Sequence, residues 1–267
     1  MTFVYAALLG IVQGLTEFLP VSSSAHLILA RALFGWDADA FGLAFDVACH
    51  VGTLLAVVIY FWNDLWAMAC ALPRALEAGE DARRIRLIVV GTLPVVAVGL
   101  LFADAIENGL RSPAVTIVTL TLGAVLFLVA ERVRPATRLA SDITMGEALA
   151  FGCAQAAALV PGISRSGATI TMGLFLGVRR AEAARFSFLL GVPAILAAAL
   201  KEGLHLVEVG LSADAAPLFL VGMVTSAVVG YLTVRFFMRF LGSHRLDVFA
   251  AYRLILAAVV VVWLFAR

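Results

Sequence analysis

The chain alternates long apolar runs with short charged connections, and the length of each run limits what it can do. Crossing the hydrocarbon of a bilayer as a helix takes about 20 mostly apolar residues. Six runs meet that length with little interruption: residues 41–62, 86–103, 113–130, 183–200, 217–235 and 248–266. Two further apolar stretches, 3–34 and 146–177, are each broken near the middle by proline, glycine and clustered serine. Proline ends a helix and serine caps the next, so each stretch predicts two short helices meeting at a break. The predicted fold is an all-α polytopic membrane protein with six full spans and two re-entrant broken-helix hairpins.

Charge sets the orientation. Thirteen arginines fall in connections of one sidedness: Arg74, Arg83, Arg84 and Arg86; Arg132, Arg134 and Arg138; Arg179, Arg180 and Arg185; and Arg235, Arg239 and Arg245. The opposite side has Arg31, Arg111, Lys201 and Arg267. The positive-inside rule puts the larger set in the cytoplasm, with the acidic, arginine-poor stretches 104–107 and 202–214 outside. Residues 146–177 are then flanked by cytoplasmic Arg138 and Arg179 and enter and leave by one face. Such a stretch is tolerated where its broken backbone is buried in protein or lines a wet cavity. No Lys or Arg precedes Arg31, which argues against a cleaved signal peptide at the start.

The two broken stretches resemble each other. Gly10-Ile-Val-Gln13 leads to Pro20-Val-Ser22-Ser23-Ser24, and Gly152-Cys-Ala-Gln155 leads to Pro161-Gly-Ile-Ser164-Arg165-Ser166, with glutamine and serine nine residues apart in both. Phe45-Asp46 with Gly52, and Phe186-Ser187 with Gly191, follow at similar distances, and three spans complete each half. An odd number of spans reverses the second half. The organisation expected is an inverted-topology repeat of 1–135 and 143–267 in one membrane domain, with a site near the midplane where the breaks meet.

Composition agrees and excludes the rest. Hydrophobic residues make up 63% and charged ones only 14%, and the net charge of +1 gives no basic surface for nucleic acid. Cys49, Cys70 and Cys153 show no CxxC spacing and read as structural thiols. A soluble enzyme is excluded.

The informative residues are the polar ones inside the apolar body. Gln13 and Glu17, four apart, share a helix face; a carboxylate inside a span is costly and by default marks a functional site. His26 lies one turn beyond Ser22 and Ser23. Arg165, between Ser164 and Ser166 and ahead of Gly167 and Thr169, suits a phosphate, because helix-start N–H groups, the dipole and a guanidinium fork converge on one anion. Arg165 could equally pair with an acid such as Glu17. Asp46 and His50, near the end of a span, read as structural or supporting, and Arg253 as a snorkelling or pairing residue. Together the set can bind a divalent metal through oxygen ligands, Mg²⁺ or Ca²⁺, hold a phosphoryl group and supply a nucleophile and a proton carrier.

These residues resemble the undecaprenyl-pyrophosphate phosphatase family, the bacitracin-resistance type. The motifs carrying the resemblance are Gln13-Gly-Leu-Thr-Glu17-Phe-Leu-Pro20-Val-Ser22-Ser23-Ser24-Ala25-His26 and Pro161-Gly-Ile-Ser164-Arg165-Ser166-Gly167-Ala-Thr169, with residues 45–57 and 186–195 in support. The resemblance implies a bacterial inner-membrane enzyme that hydrolyses the C55 polyprenyl pyrophosphate to monophosphate and phosphate, with a divalent metal and a site facing the periplasm. It implies Ser23 as nucleophile, His26 as acid/base, Arg165 as phosphate clamp, Glu17 and Gln13 as the metal-associated pair, and Ser22, Ser24, Ser164, Ser166, Gly167 and Thr169 as phosphate-lining positions. The expected partners are the lipid pyrophosphate and membrane lipids, with no nucleic acid, and the self-association considered is a homodimer. This chain has Gln13 where many members have Glu, and Ser24-Ala25 where they have Thr-Gly. A neutral Gln13 offers a carbonyl oxygen but no charge, which leaves Glu17 to carry the metal or base role alone.

Two matters stay open at this level. Attack by Ser23 and direct attack by a water on the metal are both compatible with the residues. A transporter or flippase for an anionic lipid also fits an inverted repeat around a midplane site, although transport needs no serine–histidine cluster.

Overall fold

The computed structural model describes residues 3–35, 42–133, 135–209 and 215–266. Arg134 and Arg267, both used above for orientation, lie outside them, as do residues 210–214 and the side chains of Asp104 and Glu107. The described residues form eleven α-helices: α1 Phe3–Phe18, α2 Ser23–Phe34, α3 Leu43–Tyr60, α4 Trp62–Ala71, α5 Glu80–Leu110, α6 Pro113–Val133, α7 Met145–Ala157, α8 Arg165–Phe175, α9 Arg180–Val209, α10 Ala216–Phe240 and α11 Asp247–Phe265. Both broken stretches are broken where the sequence predicts, giving α1–α2 and α7–α8.

Five helices are long and apolar enough to cross a bilayer, namely α5, α6, α9, α10 and α11, and α3 with α4 makes a sixth if that bent pair is one span. The pair is bent by 81° at Phe61, where the 41–62 run ends, and α4 is a helix past the end of that run. Phe61, at the bend, is buried and packs edge-on to Tyr60 at 4.8 Å and tilted to Phe188 at 6.2 Å. Beyond it Trp62 and Trp66 stack at 5.9 Å on the exposed side of α4. Exposed paired tryptophans suit a helix lying in the membrane interface. Helices α5 and α9 run to 31 and 30 residues, longer than their apolar runs, because helix-favouring polar residues such as Glu80, Arg83, Arg84 and Glu182 extend them past the hydrocarbon. Large apolar side chains stay exposed on the outer faces, among them Leu101, Leu122, Ile255 and Val262, the surface a lipid-facing helix presents.

The arginine-rich connections meet at one end of the bundle. Asp64 pairs with Arg84 and Arg185, Glu131 pairs with Arg180 and Arg245, and Asp247 pairs with Arg132 and Arg245. Helix α7 starts at the same face: Thr144 and Glu147 form a capping box, and a hydrogen bond from Arg138 pulls the Glu147 carboxyl down to about 2. Helices α3 and α6 run from here to the opposite end, where Arg31 and Arg111 both hold the buried Asp46.

Glycine sets the closest helix pairs, as small residues do where lipid supplies no hydrophobic drive. A Cβ on Gly10 of α1 would stand 2.5 Å from the Gly222 carbonyl of α10, and one on Gly152 of α7 would stand 2.3 Å from the Gly91 carbonyl of α5. Gly10 and Gly152 are matching positions of the two sequence halves. Gly222 in turn meets Cys49, and Gly91 meets Leu190, again matching positions. Helices α1 and α7, each ending at a break, are thereby clamped backbone to backbone against a long helix of the other half. Edge-to-face packing of Phe18 on Phe188 at 5.4 Å fills the core beside the first break.

Candidate active site

The two breaks are built alike. Helix α1 ends at Phe18 ahead of Pro20, and α7 ends at Ala157 ahead of Pro161. Ser22 and Ser164 then cap α2 and α8, accepting hydrogen bonds from Ala25 N at 3.4 Å and Gly167 N at 3.1 Å. Both caps sit in the left-handed region, at φ 74° and 73°, and are the two non-glycine residues there among the described residues. Such conformations cost of order 1–3 kcal/mol and persist where the surroundings enforce them. The breaks also interlock: Ser24 Oγ accepts from Gly162 N at 3.4 Å, and Ser166 Oγ donates to the carbonyls of Glu17 at 3.3 Å and Leu19 at 3.4 Å.

One carboxylate joins the two helix starts. Glu17, in the last turn of α1 and buried, accepts from Ser23 Oγ at 2.7 Å on Oε2 and from Arg165 at 2.9 Å on Oε1. Ser23 and Arg165 are the first residues of α2 and α8. Gln13 Nε2 donates to Oε2 at 3.0 Å, and His50 Nε2 stands 3.4 Å from the same oxygen. The Asp46 carbonyl lies 2.8 Å from His50 Nδ1; a carbonyl only accepts, so Nδ1 carries a proton and Nε2 is the nitrogen turned to Glu17. Arg165 keeps one guanidinium nitrogen buried without a partner, and so does the carbonyl oxygen of Gln13. A Cβ on Gly191 would fall 1.3 Å from that guanidinium, so the glycine makes the space Arg165 occupies.

Of these groups Glu17, Ser23, His50 and Arg165 line a cavity of about 500 Å³, within the range of small-molecule sites. Its polar end carries Glu17, Ser22, Ser23, Ser24, His50, Ser164 and Arg165. Apolar residues of α5 and α9, including Val95, Leu100, Ala194 and Ile195, make the wall beyond, with Arg111, Lys201 and Glu202 also on the lining. Gln155 lines it as well, buried, with neither amide atom partnered.

Other expected residues lie elsewhere. Ser166, Gly167 and Thr169, expected to line phosphate, do not line the cavity. Ser166 locks the breaks together, the Gly167 N–H is spent on Ser164, and Thr169 bonds Ser187 and its own helix. His26, expected as the acid/base, also turns away: its Nδ1 is 2.7 Å from the Ser22 carbonyl and its Nε2 2.7 Å from the Tyr252 hydroxyl. The imidazole touching Glu17 is that of His50, which reads from sequence as a supporting residue because it sits near a span end. Arg253 neither snorkels nor pairs with an acid. It is fully buried and donates to the carbonyls of Pro20 and Ile163 at 3.3 and 3.1 Å, Gly162 and Thr119 at 3.0 and 2.9 Å, and Leu120 at 3.1 Å. It thus holds both breaks to α6. An arginine inside the last apolar run was the available signal.

Among the described residues no group of three or more His, Cys, Asp and Glu is placed to hold a metal. The donors present are the Glu17 carboxylate and the unpartnered Gln13 carbonyl oxygen. That set fits Mg²⁺ or Ca²⁺ only in the manner of a cation held largely by substrate phosphate, with one or two protein oxygens.

Comparison with known proteins places these features in a family. Residues 6–259 match the family model described as bacitracin resistance protein BacA. An undecaprenyl-diphosphatase of Rubrobacter xylanophilus is 50% identical over 260 residues, covering 96% of each chain. Undecaprenyl-diphosphatases of Thermodesulfovibrio yellowstonii and Thermomicrobium roseum are 42% and 44% identical, covering 98% and 95% of this chain and 97% and 95% of theirs. With its several apolar helices and a match over nearly its whole length, this chain is an integral membrane protein belonging to the bacitracin resistance protein BacA family.

Proposed function

We propose that this protein hydrolyses undecaprenyl pyrophosphate to the monophosphate and inorganic phosphate, with the reaction centred on Glu17. The observation that carries the reading is the convergence of Ser23 and Arg165, the first residues of two capped helices, on the two oxygens of one buried carboxylate. A hydroxyl hydrogen-bonded to a carboxylate is the geometry of an activated nucleophile, and that bond favours Ser23 as the attacking group. Its oxygen would bond to the terminal phosphorus as the bridging P–O bond breaks, the lipid monophosphate leaving with the bonding pair and the hydroxyl proton passing to Glu17. Water then cleaves the phosphoserine, regenerating Ser23 and releasing phosphate.

The other residues prepare this step. Arg165, on the cavity lining, would bind a phosphoryl oxygen while still bonded to Glu17, and the starts of α2 and α8 stabilise the developing charge. His50 is the proton carrier in contact with Glu17, and His26 holds the Ser22 carbonyl from behind with Tyr252 as its partner. Glu17 and the Gln13 carbonyl would hold a divalent cation, Mg²⁺ or Ca²⁺, whose charge offsets that of the pyrophosphate. The apolar wall of α5 and α9 suits the start of a polyprenyl chain.

The same reading includes six spans, with α1–α2 and α7–α8 as re-entrant hairpins of an inverted repeat, supported by the matching caps and glycine contacts. It puts the protein in the bacterial inner membrane with the cavity open to the periplasm, since Arg111 and Lys201 belong to the arginine-poor side. It also includes a homodimer, which native mass spectrometry in detergent would detect. Transport is not favoured: it needs no nucleophile, and the relatives are named for diphosphatase activity. Detergent-purified protein is expected to release phosphate from C55 pyrophosphate and to lose that activity with EDTA. Movement of the lipid across vesicles without phosphate release would overturn the hydrolase reading.

A further inference from the structure

Gln155 is 1% exposed, lines the cavity, and leaves both its amide nitrogen and its amide oxygen without a hydrogen-bond partner. A buried amide left in this state is unfavourable, so a native protein that keeps one has a partner for it in another state. The helix that carries Gln155 cannot retreat, because α7 is seated on α5 through Gly152 and Gly91. The apolar part of the cavity lining, Val95, Val96, Ala194 and Ala198 among it, has no side-chain hydrogen-bonding group for the amide. Its counterpart in the first break, Gln13, spends its nitrogen on Glu17. The position matching Glu17 in the second break is Leu159, so Gln155 has no carboxylate one turn away.

A pyrophosphate carries oxygens on two phosphorus atoms. In the proposed function Ser23, Arg165 and the helix starts serve the terminal phosphoryl group, and the lipid-linked phosphate still needs a donor. We propose that Gln155 is that donor, binding an oxygen of the lipid-linked phosphate and so selecting a pyrophosphate headgroup over a single phosphate. Rotation about the soft terminal torsion of the amide presents Nε2 to the ligand, while Oε1 accepts from a water that accompanies it. This inference rests on the hydrolase reading for the identity of the headgroup. The unpartnered amide is observed independently of that reading.

The test uses full-length protein in detergent and a C55 lipid ending in a methylene bisphosphonate, which cannot be cleaved at the bridge. Gln155→Leu removes the polar pair at similar volume and is expected to weaken bisphosphonate binding about tenfold, to leave inhibition by inorganic phosphate unchanged, and not to lower Tm. Gln155→Asn, which shortens the reach by one methylene, is expected to show the same selective loss and covers the case where the leucine variant fails to fold. Unchanged bisphosphonate affinity in either folded variant would overturn the proposal, as would an equal weakening of phosphate and bisphosphonate. Wild-type protein that binds the bisphosphonate but releases no phosphate from C55 pyrophosphate would refute the hydrolase reading alone.

Discussion

Arg165 donates to Glu17 Oε1 at 2.9 Å across 148 residues of sequence, tying the end of the first broken helix to the start of the second half of the other. Glu17 is buried and Arg165 partly so, so the pair carries structural as well as chemical consequences. Breaking a buried pair by removing one partner typically costs about 3–5 kcal/mol, whereas replacing both is far cheaper. Arg165→Met is therefore expected to lower thermal stability strongly, and Glu17→Gln combined with Arg165→Met to recover most of it. Phosphate release should be lost in both. Thermal unfolding and activity of the two variants beside wild type check this; a double variant no more stable than Arg165→Met would show that the pair is not coupled.

Gly191 is predicted to matter through Arg165 alone. A methyl group there would overlap the guanidinium, so Gly191→Ala must displace it without changing any charge. The expected result is a fall in kcat/KM of about 10²-fold, comparable to losing one donor to the developing charge, with helix content unchanged. Wild-type kinetics in Gly191→Ala would mean that the guanidinium does not need this position.

His50 and His26 are expected to differ in how far activity depends on them. His50→Gln removes the imidazole facing Glu17 and should lower kcat by about 10²-fold or more. Tyr252→Phe takes only a hydrogen bond from His26 and should cost about fivefold, the effect of ~1 kcal/mol. The opposite pattern would make His26 the proton carrier.

Arg253 is a positioning residue whose loss leaves five carbonyls, three of them in the breaks, without their donor. Arg253→Met is expected to destabilise the protein by on the order of 3 kcal/mol or more, since each unsatisfied buried acceptor costs about 1–3 kcal/mol. Arg253→Lys should not restore it, because one ammonium cannot reproduce the planar fork. The guanidinium also lies where a Cβ on Gly123 would sit, 2.0 Å from its nitrogen, so Gly123→Ala should mimic the loss. Full stability of Arg253→Met would contradict this role.

Much of this arrangement is legible in the sequence, and the parts that are not share a cause. Hydropathy finds the long helices because lipid demands unbroken apolar runs, and Pro20, Pro161 and the serines after them mark both breaks because their local chemistry stops one helix and caps the next. Glu17 and Arg165 stand out because a charge within an apolar run is costly. Helix α4 is not legible, since it lies past the end of the 41–62 run in a stretch that reads as a connection. Which of His26 and His50 touches Glu17 depends on which way each ring points, and the partners that decide it, Tyr252 and Glu17, are distant in sequence. Thr169 and Ser166 look like phosphate ligands until their bonds to Ser187, Glu17 and Leu19 are seen. Gln155 is visible as half of a repeated motif, but only packing shows that its amide lacks a partner.

The most direct test of the account is the rate of phosphate release from C55 pyrophosphate by Glu17→Gln, measured beside wild type in the same detergent. The substitution keeps the side chain's size and one acceptor oxygen but removes the charge that joins Ser23 to Arg165. The account predicts a fall in kcat of about 10³-fold in a folded protein. Phosphate release at the wild-type rate would contradict it.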